Sequence, residues 1–216
     1  MGVKKETRLE VNDIWEVMFT QRAIRYWVEE PVSRELIERV IEAASKAPSG
    51  SNHQPWIFVV ADRDPVKTRL AEALRDYYEE GPLKTLVESS QKTEDSSQRL
   101  MMSGAENFFT NLRTAPAIII PCLYKLSSPT SEMNTLAAGS SIYLAVQNML
   151  LAARALGLGT LMTTSHSLIE EVIREVCRIP EDAQPAALIP IGFPAVKFGP
   201  TKRKPVRDII VWNQWK

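Results

Sequence analysis

Apolar residues recur at helical spacing in several stretches of the chain, and short β-branched runs between them read as strands. Asn12 is placed to cap a short helix, DIWEVMF, ending near Thr20. Ser33 caps a second helix, on which Leu36, Ile37, Val40, Ile41 and Ala44 share one face. A crowded connection, APSGSNHQPW, leads from it to a strand, WIFVVAD. Asp64-Pro65 opens a third helix, because Asp is a good N-cap and Pro suits the first helical position. Its apolar face is Val66, Leu70, Leu74 and Tyr77. From Glu79 to Gln98 the chain turns polar and uneven, too long for an ordinary connection and too polar for core, and this stretch is read as a mobile flap.

A strand, PAIIIPC, follows, then a gap rich in Ser, Pro and Thr (SSPTSEM) and a long helix from about Thr135 to Leu156. Ile142, Val146, Met149, Leu150 and Ala153 make one stripe on it, and Tyr143, Leu144 and Leu151 make other sides apolar. This central helix is therefore expected to be buried nearly all round. LGLG ends it with a left-handed glycine cap, and a short strand, TLMTT, comes next. Ser167 and Glu170 have the spacing of a capping box for SLIEEVIREVC. AALIPIGFP is the last core strand, and the tail, PVRDIIVWNQW, is β-branched and aromatic with no later segment to cover it.

Composition narrows the functional classes. With 216 residues the chain has enough length for one sizeable core and is expected to form a single domain, 1–216. Lys plus Arg equals Asp plus Glu at 26 each, so no net field draws nucleic acid or an anionic membrane. The first residues are charged and lack the apolar run of a secretory signal. The most apolar stretch, IYLAVQNMLLAARAL, contains Gln147, Asn148 and Arg154 and falls short of the ~20 apolar residues of a membrane span. A cytoplasmic protein is expected. Cys122 and Cys177 have no Cys or His neighbour at metal spacing and read as buried free thiols; no metal is expected.

Three stretches carry more polar chemistry than a fold requires. TQRAIRYW sets Arg22 and Arg25 three apart just after a helix, so both guanidiniums can converge on one anion. TKRKPVR sets Lys202, Arg203 and Lys204 before a proline. APSGSNHQPW has small polar side chains and unpaired backbone groups suited to a planar polar ligand, on a path fixed by Pro48 and Pro55. His53 lies within that motif, and His166 precedes Ser167; both read as packing or solvent-facing residues, with His166 also within reach of a ligand pocket. No Ser-His-Asp set or paired carboxylates stand out, and no catalytic side chain is assigned. No glycine-rich dinucleotide fingerprint follows any strand.

In that order, FTQRAIRYWVEEPV, AASKAPSGSNHQPWIFVV, QNMLLAARALGLGT, ALIPIGFP and TKRKPV resemble the FMN-dependent nitroreductase family over roughly Ile14 to Trp212. The resemblance implies an α+β fold, with a central, mostly antiparallel mixed sheet flanked by helices and a C-terminal arm, about 200–216, exchanged in a homodimer. It implies FMN at the dimer interface, its phosphate on Arg22, Arg25 and Arg203, which offer charge-assisted donors. Pro48, Ser49, Gly50 and Asn52 match the stretch bordering the flavin ring, commonly from the other subunit. Thr163, Thr164 and Ser165 fall where the family has backbone donors near the redox-active edge, and Ser141 matches a further polar contact. Gln21 and Ala23 stand where the family's Arg-Arg-Ser-x-Arg has its first Arg and its Ser, and Met162 to Ser165 replace its Pro-x-Glu-Gly.

The activity so implied is an NAD(P)H-dependent oxidoreductase that reduces nitroaromatics, quinones or related acceptors by ping-pong hydride transfer. A reductive dehalogenase or flavin-fragmenting enzyme on the same fold, and a non-catalytic flavin-binding protein, are the alternatives.

Overall fold

Strand β2 (Ala117–Tyr124) is buried over almost its whole length, and its alternating side chains divide the core in two. The structure, a computed structural model, describes residues 10–125 and 136–215; the expected Ser, Pro and Thr-rich gap and the start of the central helix at Thr135 lie outside these. Ile118, Ile120 and Cys122 face a cluster containing Leu70, Leu74, Phe108, Phe109 and Ile173. Ala117, Ile119 and Leu123 face the other, with Ile37, Val40, Ile142, Val146 and Met149. Helices α3 (Val66–Glu80), α5 (Ser96–Asn111) and α7 (Glu170–Cys177) thus cover one side, and α2 (Arg34–Ser45) and α6 (Leu136–Ala155) the other.

The sheet runs β1 (Trp56–Ala61), β2, β5 (Ile189–Gly192), β3 (Gly159–Thr160), and a short β4 (Ala183–Pro185) also pairs with β2. Every pairing among these strands is antiparallel. A parallel contact joins Ala23 to Thr160 as an isolated bridge, so the mixed sheet is antiparallel in its named strands and parallel only at that edge. The α+β architecture expected from the sequence is the one observed.

Local chemistry explains where elements begin. Asp13, rather than Asn12, caps α1 (Ile14–Thr20), its carboxylate accepting from the Glu16 N–H at 2.8 Å. The Ser33 hydroxyl accepts from Leu36 N–H as expected. On α3 the buried aromatic is Tyr78, not Tyr77, because the face that follows Leu70, Ala71 and Leu74 turns one residue further. The Ser167 and Glu170 capping box does not form: residues Ser165–Leu168 make a 3-10 turn, α7 starts after Ile169, and the Ser167 hydroxyl donates to the Thr164 carbonyl instead. Gly157, at φ 74°, supplies the expected left-handed end of α6.

Larger differences fall in three places. Residues 79–98 are mostly helical: α4 (Pro82–Gln91), with Pro in its first turn and Val87 buried, leads into α5, whose first N–H groups at Ser97 and Gln98 bond the Asp95 carboxylate. Helix α6 presents Tyr143 and Leu144 to solvent at 41% and 47% exposure, so within one chain it is not buried all round. The tail has a single 3-10 turn, Val206–Asp208, and no strand. Among the described residues no helix is long and apolar enough to cross a membrane, and no group of His, Cys, Asp or Glu is disposed to hold a metal.

Both thiols are unpaired; burial pushes the Cys122 pKa up to about 12 and that of Cys177 up to about 11, which keeps them inert. Tyr78 stacks on Phe109 with ring centroids 5.5 Å apart, yet its hydroxyl is buried without a hydrogen-bond partner among the described residues. An unmet buried hydroxyl costs about 1–3 kcal/mol. Tyr78→Phe keeps the stacking and removes the cost, so it should raise stability by about 1 kcal/mol in urea unfolding. A loss of that size instead would mean that the hydroxyl bonds an enclosed water.

Candidate functional site

The chain leaves α1 at Gln21, whose N–H still bonds the Val17 carbonyl, and then runs extended beside β3. Ile24 N–H bonds the Thr160 carbonyl at 2.9 Å, and the Trp27 indole N–H bonds the Gly159 carbonyl at 3.0 Å. Gly159 allows this approach: a Cβ there would lie 2.8 Å from Ile24 Cγ2. Ile24 and Trp27 are buried, while Arg22 is exposed and Arg25 partly buried.

The C-terminal basic run reaches the same place by a different tether. Thr201 N–H bonds the Phe19 carbonyl at 3.0 Å. Arg154, buried at the end of α6, donates from Nε to Thr20 Oγ1 at 2.8 Å and pairs with Glu16 at 3.3 Å. Its guanidinium stacks on the Phe198 ring, 4.2 Å from the centroid. One buried cation therefore pins α1, α6 and the segment leading to Thr201.

Between these tethers lies a cleft of about 710 Å³. Among the described residues its wall carries Arg22, Arg25, Lys197, Lys202 and Arg203, and no Asp or Glu. None of the five takes part in an ion pair among the described residues, although ten other ion pairs occur there. Arg25 is partly buried, and burial pushes its pKa down; Tyr26 opposes this, while the Arg22 charge pushes the same way. Its guanidinium stays protonated at neutral pH. Unneutralised cations around a cleft, one of them partly desolvated, fit a multiply charged anion such as a phosphate monoester. Leu100 and Met101 of α5 add an apolar margin.

The residues expected from the sequence fall into three groups. Arg22, Ala23, Arg25 and Arg203 share the cleft. Gln21 sits just outside its wall as the last residue of the α1 turn. Pro48, Ser49, Gly50 and Asn52 form a separate turn. Within it Gly50 N–H points to the Ser141 hydroxyl at 3.4 Å and Gln54 N–H bonds Ser49 Oγ at 2.9 Å. Ser141 is buried, so the turn and the start of α6 meet as the motif suggests. Ser51, Asn52 and Gln54 all have φ between 50° and 55°, a left-handed conformation that Asn tolerates and Ser and Gln disfavour. The third group is a small knot in which Thr163 Oγ1 accepts from Ser165 N–H at 3.1 Å and bonds Ser165 Oγ at 2.9 Å, with Thr164 exposed beside it. Neither of these two groups lines the cleft. His53 is exposed on the turn.

Sequence reasoning passed over Arg154, which it met only as a charge in an apolar helix, and the whole of α5. Asp95 as an N-cap, with Met102, Phe108 and Phe109 on one side, was the signal for that helix.

Comparison with known proteins gives a consistent picture. The sequence model of the Nitroreductase family matches residues 19–193. A putative NADH dehydrogenase/NAD(P)H nitroreductase of Methanothermobacter thermautotrophicus is 31% identical over 189 residues, 87% of this chain and 80% of that protein. Iodotyrosine deiodinase of Danio rerio is 29% identical over 201 residues, 90% of this chain; the match spans 65% of that relative's length. A crystal structure of oxidised iodotyrosine deiodinase bound to FMN and 3-iodo-L-tyrosine superposes with a TM-score of 0.72 at 20% identity, covering 94% of this chain and all of that one, and so shares the fold.

His166 is buried in the 3-10 turn before α7, with Nδ1 unbonded among the described residues, and burial holds its pKa below the ordinary value despite the opposing charge of Glu170. The folded state therefore disfavours the imidazolium relative to the unfolded chain, which takes up a proton below about pH 6.5. Stability should be fully present above that pH and fall as pH drops through it. In urea unfolding between pH 7.5 and 5.5, His166→Asn should flatten this slope; an unchanged slope would place the titration elsewhere.

Proposed function

We propose that this chain, which belongs to the nitroreductase family, is an FMN-dependent oxidoreductase that uses NAD(P)H to reduce a small aromatic or quinone acceptor. The observation that carries this reading is the cleft on which Arg22, Arg25 and Arg203 converge with no carboxylate on its wall. Bound FMN would supply hydride exchange between a nicotinamide and an acceptor, chemistry that no side chain in the fold provides. Arg22, Arg25 and Arg203 would hold its phosphate, with Lys202 and Lys197 adding positive potential. Backbone at Pro48, Ser49, Gly50 and Asn52, with the Ser141 hydroxyl behind it, would border the ring. Donors in the Thr163, Thr164 and Ser165 knot would stabilise negative charge that develops at its edge. Gln21 and Ala23 would leave the phosphate contacts to the three arginines.

A second reading has a specific support. The similarity to iodotyrosine deiodinase covers 90% of the chain, against 87% for the nitroreductase relative. On that reading the acceptor is a halogenated phenol, and the α4–α5 segment would cover it as a flap.

We further propose a homodimer with an exchanged C-terminal arm. Trp212 and Trp215 are 81% and 90% exposed, beside exposed Ile209, Ile210 and Val211, and α1 exposes Trp15 and Phe19. A single chain leaves this apolar surface uncovered, and burying each large side chain contributes roughly 1.5–3 kcal/mol. Such a dimer would also bring the 48–52 turn of one chain towards the cleft of the other. The proposal covers one domain with that arm.

Purified protein should be yellow, should release FMN rather than FAD on heating, and should oxidise NADH or NADPH with menadione. Arg203→Ala should weaken FMN binding by about one to two decades, the value of one charge-assisted contact, with the apoprotein still folded. FMN bound by the variant as by wild type would remove the basic run from the site. Iodide release from 3-iodotyrosine without menadione turnover would favour the second reading. Truncation after Arg207 should lower both dimer content in sedimentation and FMN occupancy; a truncated protein that remains dimeric and yellow would move the interface to another face.

A further inference from the structure

Arg25 rests on α5, and the fit is specific at two positions. Gly104 is buried in the middle of that helix, where glycine is disfavoured unless something needs the space. The Arg25 side chain occupies that space: a Cβ on Gly104 would lie 3.2 Å from Arg25 Cδ, 3.8 Å from Nη1 and 3.9 Å from Nε. Asn107, three residues further on and so on the same face, donates from Nδ2 to the Arg25 carbonyl at 2.6 Å. Its own Oδ1 accepts from Asn111 Nδ2 at 3.0 Å, which fixes the amide's orientation. Helix α5 thus holds Arg25 by its backbone and by its side-chain stem.

The same helix has two further links. Ser97, Leu100 and Met101, nearer its start, lie on the cleft wall, and Gly104 reaches that wall where the Arg25 stem covers it. Glu106, between Gly104 and Asn107, accepts from Gln91 of α4 at 2.7 Å and joins the two helices of the 82–111 segment.

We propose that Gly104 and Asn107 are positioning residues for Arg25, and that through them occupancy of the anion cleft and the seating of the α4–α5 pair are linked. The inference rests on the reading of the cleft as an FMN phosphate site. If the guanidinium binds the anion only when its stem lies flat on Gly104, then a ligand that holds the guanidinium also holds α5, and the linkage is reciprocal. A methyl group at Gly104 lifts the stem away from the helix while favouring the helix itself, so its effects on helix stability and on anion binding run in opposite directions.

FMN titration by flavin fluorescence tests this, with thermal unfolding in inorganic phosphate as a second readout. Gly104→Ala should leave the apoprotein's melting temperature unchanged or raised, weaken FMN binding about tenfold, and reduce stabilisation by phosphate. Asn107→Ala should weaken FMN in the same way, a check independent of any backbone change at the glycine. In an Arg25→Ala background either substitution should add less than about twofold, because its effect passes through Arg25. Wild-type FMN affinity in both Gly104→Ala and Asn107→Ala, or effects that multiply with that of Arg25→Ala, would overturn the proposal and leave the FMN reading intact. Wild-type affinity in Arg25→Ala itself would overturn both.

Discussion

Five cationic side chains around one cleft, with no carboxylate among the described residues of its wall, set the condition that the rest of the structure has to meet. Two unit charges about 4 Å apart repel by about 1 kcal/mol in water and about 4 kcal/mol at an effective dielectric constant of about 20. The walls are therefore not held by attraction to one another. They are held by neutral backbone bonds, Ile24 to Thr160 on one side and Thr201 to Phe19 on the other. Arg154 completes the frame, and it contrasts with the cleft cations: it is buried, but Thr20, Glu16 and the Phe198 ring surround it. A buried cation so satisfied can fix three segments, whereas the cleft cations remain free to meet an anion.

This frame draws on both layers of the fold. Arg154 stands at the end of α6, the layer packed on Ile119 and Leu123, while Arg25 rests on α5, the layer packed on Ile118 and Ile120. Adjacent residues of β2 thus support opposite walls of one cleft through separate cores. A large-to-small change in either core would shift one wall relative to the other, because close-packed interiors transmit displacement rather than absorb it. The parallel bridge from Ala23 to Thr160 is where the two supports meet, at the β3 edge of the sheet.

Much of this was legible in the sequence wherever a single local rule governed. Ser33, the α2 face of Ile37, Val40 and Ala44, the buried run at Ala117–Tyr124 and the glycine ending α6 follow from capping, periodicity and left-handed backbone. The arginine and lysine motifs were legible as cations, and so was their convergence through the family resemblance. Where two rules competed, reading failed. Asp13 outcompeted its neighbour Asn12 as a cap, and Tyr78 outcompeted Tyr77 for the core, because adjacent residues of one kind differ only in helical phase. Ser167 had the spacing of a cap, but a 3-10 turn used its hydroxyl first. The polar composition of 79–98 hid α4 and the start of α5, since helices lying on a protein's surface need only a few anchors such as Val87 and Leu83. The contact of Gly104 with Arg25 joins residues far apart in sequence, and no local pattern records it.

The turn after α2 shows why a chain carries strain that its own packing does not explain. Asn52 accepts a left-handed backbone easily, but Ser51 and Gln54 share that conformation at a cost of order 1–3 kcal/mol each. Bonds from Ser49 to Gln54 and from Gly50 to Ser141 hold the shape, yet both are available to less strained turns. A free polypeptide would gain by relaxing. What the strained path achieves is outward presentation: residues 50–54 stay exposed, while Pro55 and Trp56 just beyond are buried and fix its exit. In the proposed dimer this exposed face would meet the ring of a flavin whose phosphate would lie in the partner's cleft, and the interaction energy gained there would offset the local cost. Strain in one chain and uncompensated charge in the other would then be two halves of one site, each unfavourable alone and complementary together.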